Sequence, residues 1–285
     1  MKNKKAIALL FAANTVSGVS QGISLIAIPW FIANQLGRPG LYGLLYLIVT
    51  ILTLFWGPYA GTLVDKYDRK KVMISIQTVG LLCVFSIAAL GWYWQNTTLW
   101  MAAAIMIITK LIYNIHYPNL YAFAQEITEK SRYGTISSAI EVQGQTTFIL
   151  SGAIAAFLME GEFFSLNFEA WKMHEIFMLD AATYGLGFVL ISMIKNESLV
   201  DRNFYSQATF LQRLNEGYSY LKGNPLILLF GTVAGFVFAT VLVCSFFTMP
   251  IFIEKFLGGT QSHYGFTEAS FALGSMLSGF LILYL

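Results

Sequence analysis

Charged residues are scarce in this chain of 285 residues: Asp, Glu, Lys and Arg make up 11% of it, and the formal net charge is only +2. In soluble proteins roughly a quarter of the residues are charged. Cysteine is almost absent, and the two that occur, Cys83 and Cys244, lie inside apolar runs, so neither indicates a disulfide or a metal site. These shortages exclude a soluble enzyme, a nucleic-acid-binding domain, a disulfide-stapled fold and a disordered chain.

Long hydrophobic runs take the place of the missing charges. Hydrophobic residues make up 56% of the chain, and its mean hydropathy is +0.64. A membrane-spanning helix needs about 20 mostly apolar residues, because unpaired backbone groups are too costly in hydrocarbon. Eight runs meet this requirement and predict an all-α, multi-pass membrane protein. They are Ala6–Ile32, Leu41–Leu63, Val72–Trp92, Leu99–Tyr117, Gly134–Leu158, Ile176–Ile194, Leu226–Phe247 and Tyr264–Leu285.

The basic residues predict how these helices are oriented. The first run follows three lysines but is far longer than the 7–15 apolar residues of a signal peptide, so we predict a retained helix. With the N-terminus inside, thirteen Lys and Arg lie in inner loops and three lie in outer loops. Because Lys and Arg concentrate in cytoplasmic loops, the N-terminus is predicted to be cytoplasmic.

One long loop divides the chain. Phe210, Leu211, Leu214, Tyr218 and Leu221 share one helical face there, which predicts an amphipathic helix on the inner membrane surface. We therefore predict a six-helix bundle over residues 1–194, a cytoplasmic linker over 195–225, and the first two helices of an incomplete second bundle over 226–285. The last run reaches its final residue without a polar flank, so we expect the chain to be a fragment of a longer protein.

The most specific pattern is the string Gly61-Thr-Leu-Val-Asp65-Lys-Tyr-Asp68-Arg69-Lys70-Lys71 between runs two and three. Gly61 would let neighbouring helices approach closely. Asp65 would accept hydrogen bonds from a helix N-terminus, where the helix dipole favours a carboxylate. Asp68 would cap the third helix, and Arg69 with the two lysines would anchor it among lipid headgroups. The alternative is an ordinary basic inner loop.

The string resembles the loop 2–3 signature of the major facilitator superfamily, G-x-L-x-D-R-x-G-R-K-K, with Lys66 in place of Arg and Asp68 in place of Gly. The segments 27–30 (Ala-Ile-Pro-Trp) and 179–182 (Leu-Asp-Ala-Ala) are similar to that family's branch of macrolide-efflux and siderophore-export proteins. The resemblance implies a bundle of the major facilitator type in a bacterial inner membrane, with about eight of twelve expected helices in this chain. It also implies a gating loop that contains Gly61, Asp65, Asp68 and Arg69.

Two positions depart from the antiporter pattern of that family. The fifth run has small residues at Ser151-Gly152 and Ala155-Ala156 but no proline, which weakens the inference of drug antiport. The fourth run has Lys110 where the family has arginine.

Ionisable residues inside the runs are the first candidates for coupling to protons, because a charge in the bilayer costs at least roughly 2.5–3.5 kcal/mol. Lys110 in run four and Glu141 in run five lie at similar depths from the inner ends of adjacent helices, so we expect them to pair. Asp180 lies about four residues, or one helical turn, inside the outer end of run six. Alternatively, the pair is purely structural and Asp180 is a buried cap or hydrogen-bonding group.

Polar stripes on runs one and two predict a substrate cavity. Asn14, Ser17, Gln21 and Ser24 fall on one face of run one, and Tyr42, Tyr46, Thr50 and Thr53 form a similar stripe on run two. Such groups must point into protein or into a water-filled cavity. We assign Asn14, Gln21, Tyr46 and Thr50 to the cavity, and polar packing between helices is the alternative.

These expectations combine into a gradient-driven exporter of a small amphipathic compound, with protons as the coupling ion and the lipid bilayer as its surroundings. No catalytic set, cofactor motif, ATP-binding motif or nucleic-acid-binding pattern occurs, and the three histidines have no metal-ligand spacing. The alternatives are an importer or lysophospholipid transporter on the same fold, or a truncated membrane protein that does not transport.

Overall fold

The structure of the chain, a computed structural model, describes residues 4–160, 162–163, 166–167, 169–195 and 210–282. Within these ranges there are ten α-helices and one small hairpin, in which Glu162–Phe163 pairs antiparallel with Leu166–Asn167. The predicted all-α class is confirmed, because the hairpin is confined to one loop. The helices are α1 (Lys4–Trp30), α2 (Pro39–Lys66), α3 (Arg69–Trp94), α4 (Leu99–Glu126), α5 (Tyr133–Glu160), α6 (Met173–Ser192), α7 (Phe210–Gly223), α8 (Pro225–Val243), α9 (Met249–Lys255) and α10 (Gln261–Ile282).

Seven helices in the described ranges are long and apolar enough to cross a membrane: α1 to α6 and α8. They match the first seven predicted runs, and a π-helix over Phe31–Gln35 extends α1. The eighth run corresponds to α10, which is not among the seven. Leu285, where that run was predicted to end, lies outside the described residues.

Helix α4 is longer than predicted, and this difference matters for the site. Thr98 caps its start by accepting a hydrogen bond from the backbone N–H of Met101 (3.4 Å). The helix then continues through Pro118 to Glu126, nine residues beyond the predicted end at Tyr117. The prediction stopped where the sequence becomes polar, but a helix satisfies its own backbone groups and can continue past that point.

Helix α1 is the centre of the first six helices. It packs along α5 and α6 and also touches α4, while α3 and α6 pack closely on each other. Glycines permit this approach, since a side chain on Gly80 of α3 would overlap the Tyr184 ring of α6, and one on Gly187 would overlap the Gln77 amide. The polar side chains of α1 are therefore enclosed by other helices.

The bundle has a basic end, formed by residues 66–71 and 127–132. Helix α7 touches α2, and α10 packs on α5 towards the opposite end. Gly152 of α5 and Gly265 of α10 bring two backbones together there: a Cβ on Gly152 would lie 2.9 Å from the carbonyl oxygen of Gly265. Tyr42 stacks on Phe247 at a centroid distance of 6.2 Å. By contrast, no residue of α8 is buried. Helix α7 forms within the predicted linker, and its position on the membrane surface stays a prediction.

Candidate functional site

Asp180 of α6 is buried against α1, with 1% of its surface exposed. Its two carboxylate oxygens accept hydrogen bonds from the hydroxyls of Ser20 and Ser24, one each. Helix α6 begins at Met173, so Asp180 lies seven residues inside it rather than the predicted four. A carboxylate in this position needs such donors, because no water reaches it. The interhelical hydrogen bond that was one interpretation of Asp180 is therefore present.

A small cavity adjoins this contact. Its volume is about 20 Å³, which is room for about one water molecule. Ser24 lines the cavity and also binds Asp180, so this serine stands between the buried carboxylate and the cavity. The other polar groups in the lining come from α2 and α4: Tyr42, Tyr46, Thr109 and Lys110. Lys110 thus lines the same cavity as Ser24, the serine that donates to Asp180, and no ion pair joins Lys110 to Asp180 in the described structure.

The predicted pairing of Lys110 with Glu141 is wrong. Glu141 of α5 instead accepts a hydrogen bond from the hydroxyl of Tyr121. Tyr121 lies eleven residues closer to the basic end than Lys110, which is ~16 Å along the helix axis. The error follows from the extra length of α4, because the depth of Lys110 was measured from an end placed nine residues too early.

A row of tyrosines on α4 leads from Lys110 to Glu141. Tyr113, Tyr117 and Tyr121 follow one another every four residues, so they share one face of the helix. The Lys110 ammonium lies 5.8 Å from the Tyr113 ring centroid, and the Tyr113 and Tyr117 centroids are 4.5 Å apart. The far end of the row is the Tyr121 hydroxyl on Glu141. Sequence reasoning missed this row, although its spacing was visible.

A second buried polar network joins α1, α4 and α5. The Asn14 side-chain amide donates to Gln143 Oε1 (2.9 Å), and its Oδ1 lies 2.9 Å from His116 Nε2. Since an amide oxygen only accepts, Nε2 carries the imidazole proton and donates it. Gln143 then donates to Thr15 Oγ1 and to the backbone carbonyl oxygen of Phe11 (2.6 Å). His116 was set aside in the sequence because no other histidine lies near it.

Of the four residues assigned to a substrate cavity, only Tyr46 lines the cavity described above. Asn14 belongs to the second network, and its assignment to a substrate cavity stays a prediction. Gln21 is buried but does not line this cavity. Thr50 is exposed, and its hydroxyl donates to the carbonyl oxygen of Tyr46 on its own helix (2.8 Å). The prediction that the α1 stripe faces the protein interior is confirmed, since Ser17 and Ser24 are buried as well.

At the basic end, Asp68 caps α3 as predicted, by accepting a hydrogen bond from the backbone N–H of Lys71 (2.9 Å). The guanidinium of Arg69 donates to the carbonyl oxygen of Ala122 (2.7 Å) and lies 3.3 Å from the Glu126 carboxylate. Arg69 therefore fastens the start of α3 to the end of α4.

Gly61 of the predicted gating loop differs from expectation. A Cβ on Gly61 would meet nothing within 4 Å among the described residues, so the predicted close helix approach is not found there. Asp65 is exposed at the end of α2, and its predicted contact with a helix N-terminus stays a prediction.

Glu268 of α10 is a buried carboxylate that sequence reasoning did not single out. Only 2% of its surface is exposed, and it lies beside Ser245. One turn earlier on α10, the hydroxyl of Tyr264 donates to the Ser245 carbonyl oxygen (3.2 Å), and the Tyr264 ring stacks on Trp30 of α1. Glu268 is thus part of the junction between the first six helices and the later ones. A glutamate inside an apolar run was the sequence signal that could have identified it.

These features define a multi-pass α-helical membrane protein whose bundle encloses polar and charged side chains. The family model of the Major Facilitator Superfamily matches residues 10–285, and the chain therefore belongs to that superfamily.

Its curated relatives include bacterial efflux proteins. The chain is 23% identical to "Macrolide efflux protein A" of Streptococcus pyogenes over 276 residues, which are 96% of this chain and 65% of that protein. It is 24% identical to "Macrolide efflux protein A" of Enterococcus faecalis over 230 residues, 80% of this chain and 67% of that one. The chain is 22% identical to the "Uncharacterized MFS-type transporter YfiS" of Bacillus subtilis, over 97% of this chain and 63% of that protein. The chain thus spans about two thirds of the length of these relatives. The family resemblance seen in the sequence is confirmed.

Proposed function

We propose that this chain acts in secondary active transport and exports a small amphipathic compound of the macrolide kind in exchange for protons. The superfamily and the printed names of the two efflux relatives support export. The excess of Lys and Arg in alternate loops supports a cytoplasmic N-terminus, and hence a basic end that faces the cytoplasm.

The observation that carries the coupling proposal is the contact of Asp180 with Ser20 and Ser24 beside the cavity of Lys110. An ionised carboxylate only accepts, so both serine hydroxyls donate to it. A protonated carboxyl group donates one hydrogen bond, and a serine that accepts it must direct its own hydroxyl proton to another acceptor. Protonation also removes a buried negative charge next to the cavity that Lys110 lines, and the electrostatic effect of such a change is strong where water is excluded. A proton on Asp180 therefore alters how α1 is held.

We assign the gating role to the basic end, where Arg69 ties α3 to the end of α4 through Ala122 and Glu126. Asp65 and Asp68 lie in the same loop, one exposed and one capping α3. A loop that fastens helix ends in this way can stabilise one arrangement of the bundle. Binding of substrate or protons would then shift the equilibrium towards another arrangement.

The test is macrolide efflux from cells that express the chain, measured with the proton gradient intact and after its collapse by an uncoupler. We expect gradient-dependent efflux, and we expect Asp180→Asn to lower it to the level seen without a gradient. Asparagine keeps the size of the side chain but cannot take up and release the proton. Glu169→Gln is the matched control, because Glu169 is an exposed acid outside the bundle interior.

Glu141→Gln is measured alongside, since this residue was the coupling candidate from the sequence. We expect a smaller loss than for Asp180→Asn, because Glu141 lies far from Lys110. Gradient-dependent efflux that survives Asp180→Asn would contradict the coupling role. A correctly inserted protein that exports no macrolide under any gradient would contradict export itself.

A further inference from the structure

An apolar groove runs along the side of the bundle between α2, α3 and α4. Helices α2 and α3 each pack along α4 but scarcely touch each other, so a wedge remains open between them. Its volume is about 550 Å³. The lining is almost wholly apolar, and its exposed members include Val79 and Tyr67, so the groove opens laterally, towards lipid.

The length of the groove matches one leaflet of a bilayer. On α3 the lining extends from Lys71 to Cys83, twelve residues apart or ~18 Å along the axis. On the side of α2 it extends from Trp56 to Tyr67, the residue that follows the helix, eleven residues or ~16 Å. Half of the roughly 30 Å hydrocarbon core is ~15 Å. At its deep end, the Trp56 indole N–H donates to the carbonyl oxygen of Leu111 (2.9 Å), which fixes α2 on α4.

The groove has its charged mouth at the basic end. Lys71 lines it there, and Ser75 follows one turn deeper. The neighbouring cations are already engaged: Arg69 with the end of α4, and Lys70 Nζ with the Ser192 carbonyl oxygen (3.1 Å). The Lys71 ammonium has no such contact in the described part of the chain. The nearest carboxylate along the chain, Asp68, is occupied in capping α3.

We propose that this groove binds one anionic phospholipid of the leaflet at the basic end. An acyl chain lies along the face of α3 that ends at Cys83, and the phosphate meets Lys71 and Ser75 at the mouth. Basic pockets between membrane helices on the cytoplasmic side suit anionic headgroups, and one lysine near such a surface contributes about fivefold in affinity. The bound lipid fills the wedge and keeps α2 and α3 apart. This site is independent of the proposed export.

The experiment is thermal unfolding of the purified chain in detergent, titrated with phosphatidylglycerol or with phosphatidylcholine of the same acyl chains. We expect phosphatidylglycerol to stabilise at lower concentration than phosphatidylcholine. Lys71→Gln should weaken the phosphatidylglycerol response about fivefold. It should weaken the phosphatidylcholine response less, because the choline cation offsets the attraction of the phosphate to Lys71. Val79→Trp should weaken the response to both lipids, because the indole fills the groove.

Lys130→Gln is the matched control, since Lys130 is an exposed lysine at the same end that does not line the groove. Equal responses of the original chain to the two lipids would overturn the proposal. So would equal losses in Lys71→Gln and Lys130→Gln, which would indicate general attraction to a basic surface. A response to both lipids that survives Val79→Trp would place the lipid outside the groove.

Discussion

The Tyr184 ring of α6 lies in a notch on α3 that exists because residue 80 has no side chain. A Cβ on Gly80 would overlap this ring, with ring atom Cζ only 2.8 Å away. The ring is 2% exposed and has no free space into which it could move. Tyr184 is also one turn from Asp180, so the notch sets the height at which Asp180 meets α1. We therefore expect Gly80→Ala to destabilise the fold.

The magnitude follows from a comparison with Gly144→Ala. Gly144 lies in the middle of α5, and a Cβ there would meet nothing within 4 Å among the described residues. Both substitutions gain the same helix propensity, up to about 1 kcal/mol. Overpacking costs about 1–3 kcal/mol, and only Gly80→Ala incurs it. The two variants should therefore differ by about 1–3 kcal/mol in free energy of unfolding.

The assay is the free energy of unfolding of the purified protein in a denaturing-detergent titration. A second comparison, between Tyr184→Leu alone and Gly80→Ala with Tyr184→Leu, tests whether the tyrosine ring causes the destabilisation. With the ring removed, the added methyl group should no longer destabilise, so the two changes should be strongly coupled. The steric reasoning fails if Gly80→Ala and Gly144→Ala have the same effect, or if the effect of Gly80→Ala is unchanged without the ring.

Two further predictions concern interhelical contacts. The first uses Asn14→Leu and His116→Leu, singly and together. Their effects on the free energy of unfolding should be coupled by about 0.6–1.7 kcal/mol, the range known for hydrogen bonds between membrane helices. Purely additive effects would contradict the hydrogen bond between the two side chains. Gly152→Leu should force α10 away from α5 and speed maleimide labelling of Ala272→Cys in a background without native cysteines. Gly274→Leu, which meets no neighbour in the described structure, is its control, and equal labelling in both would be evidence against the close approach.

The membrane spans could be predicted from the sequence because lipid restricts the conformations open to the backbone. Every peptide group inside hydrocarbon must bond within its own segment, so a long apolar run has to be a helix. The same argument fails at the ends of helices, where water satisfies the backbone in other ways. The end of α4 shows this: it lies at Glu126 and not at Tyr117, and this error moved Lys110 towards Glu141.

The partners of the candidate residues depend on how the helices are rotated about their axes, which a single sequence does not specify. The stripe of α1 was predicted to face inward, and it does, but its members meet different helices. Ser17 accepts from the Gln77 amide of α3 (3.3 Å), Ser24 donates to Asp180 of α6, and Asn14 meets α4 and α5. The tyrosine row and the groove between α2 and α3 depend in the same way on rotation and on the spacing of helices.

The contacts of α1 suggest where a proton would act first. This helix is held by hydrogen bonds at several heights, and two of the partners named above are titratable, His116 and Asp180. The Nε2–H of His116 can donate to Asn14 in either protonation state, whereas the capacity of Asp180 to accept changes on protonation. A proton arriving there therefore alters the link between α1 and α6 while the contacts of Ser17 and Asn14 persist. Helix α1 would then move about its remaining contacts and change the cavity that it shares with Lys110. If the proposed coupling holds, it would act through α1, α4 and α6, and the smaller loss expected for Glu141→Gln tests this.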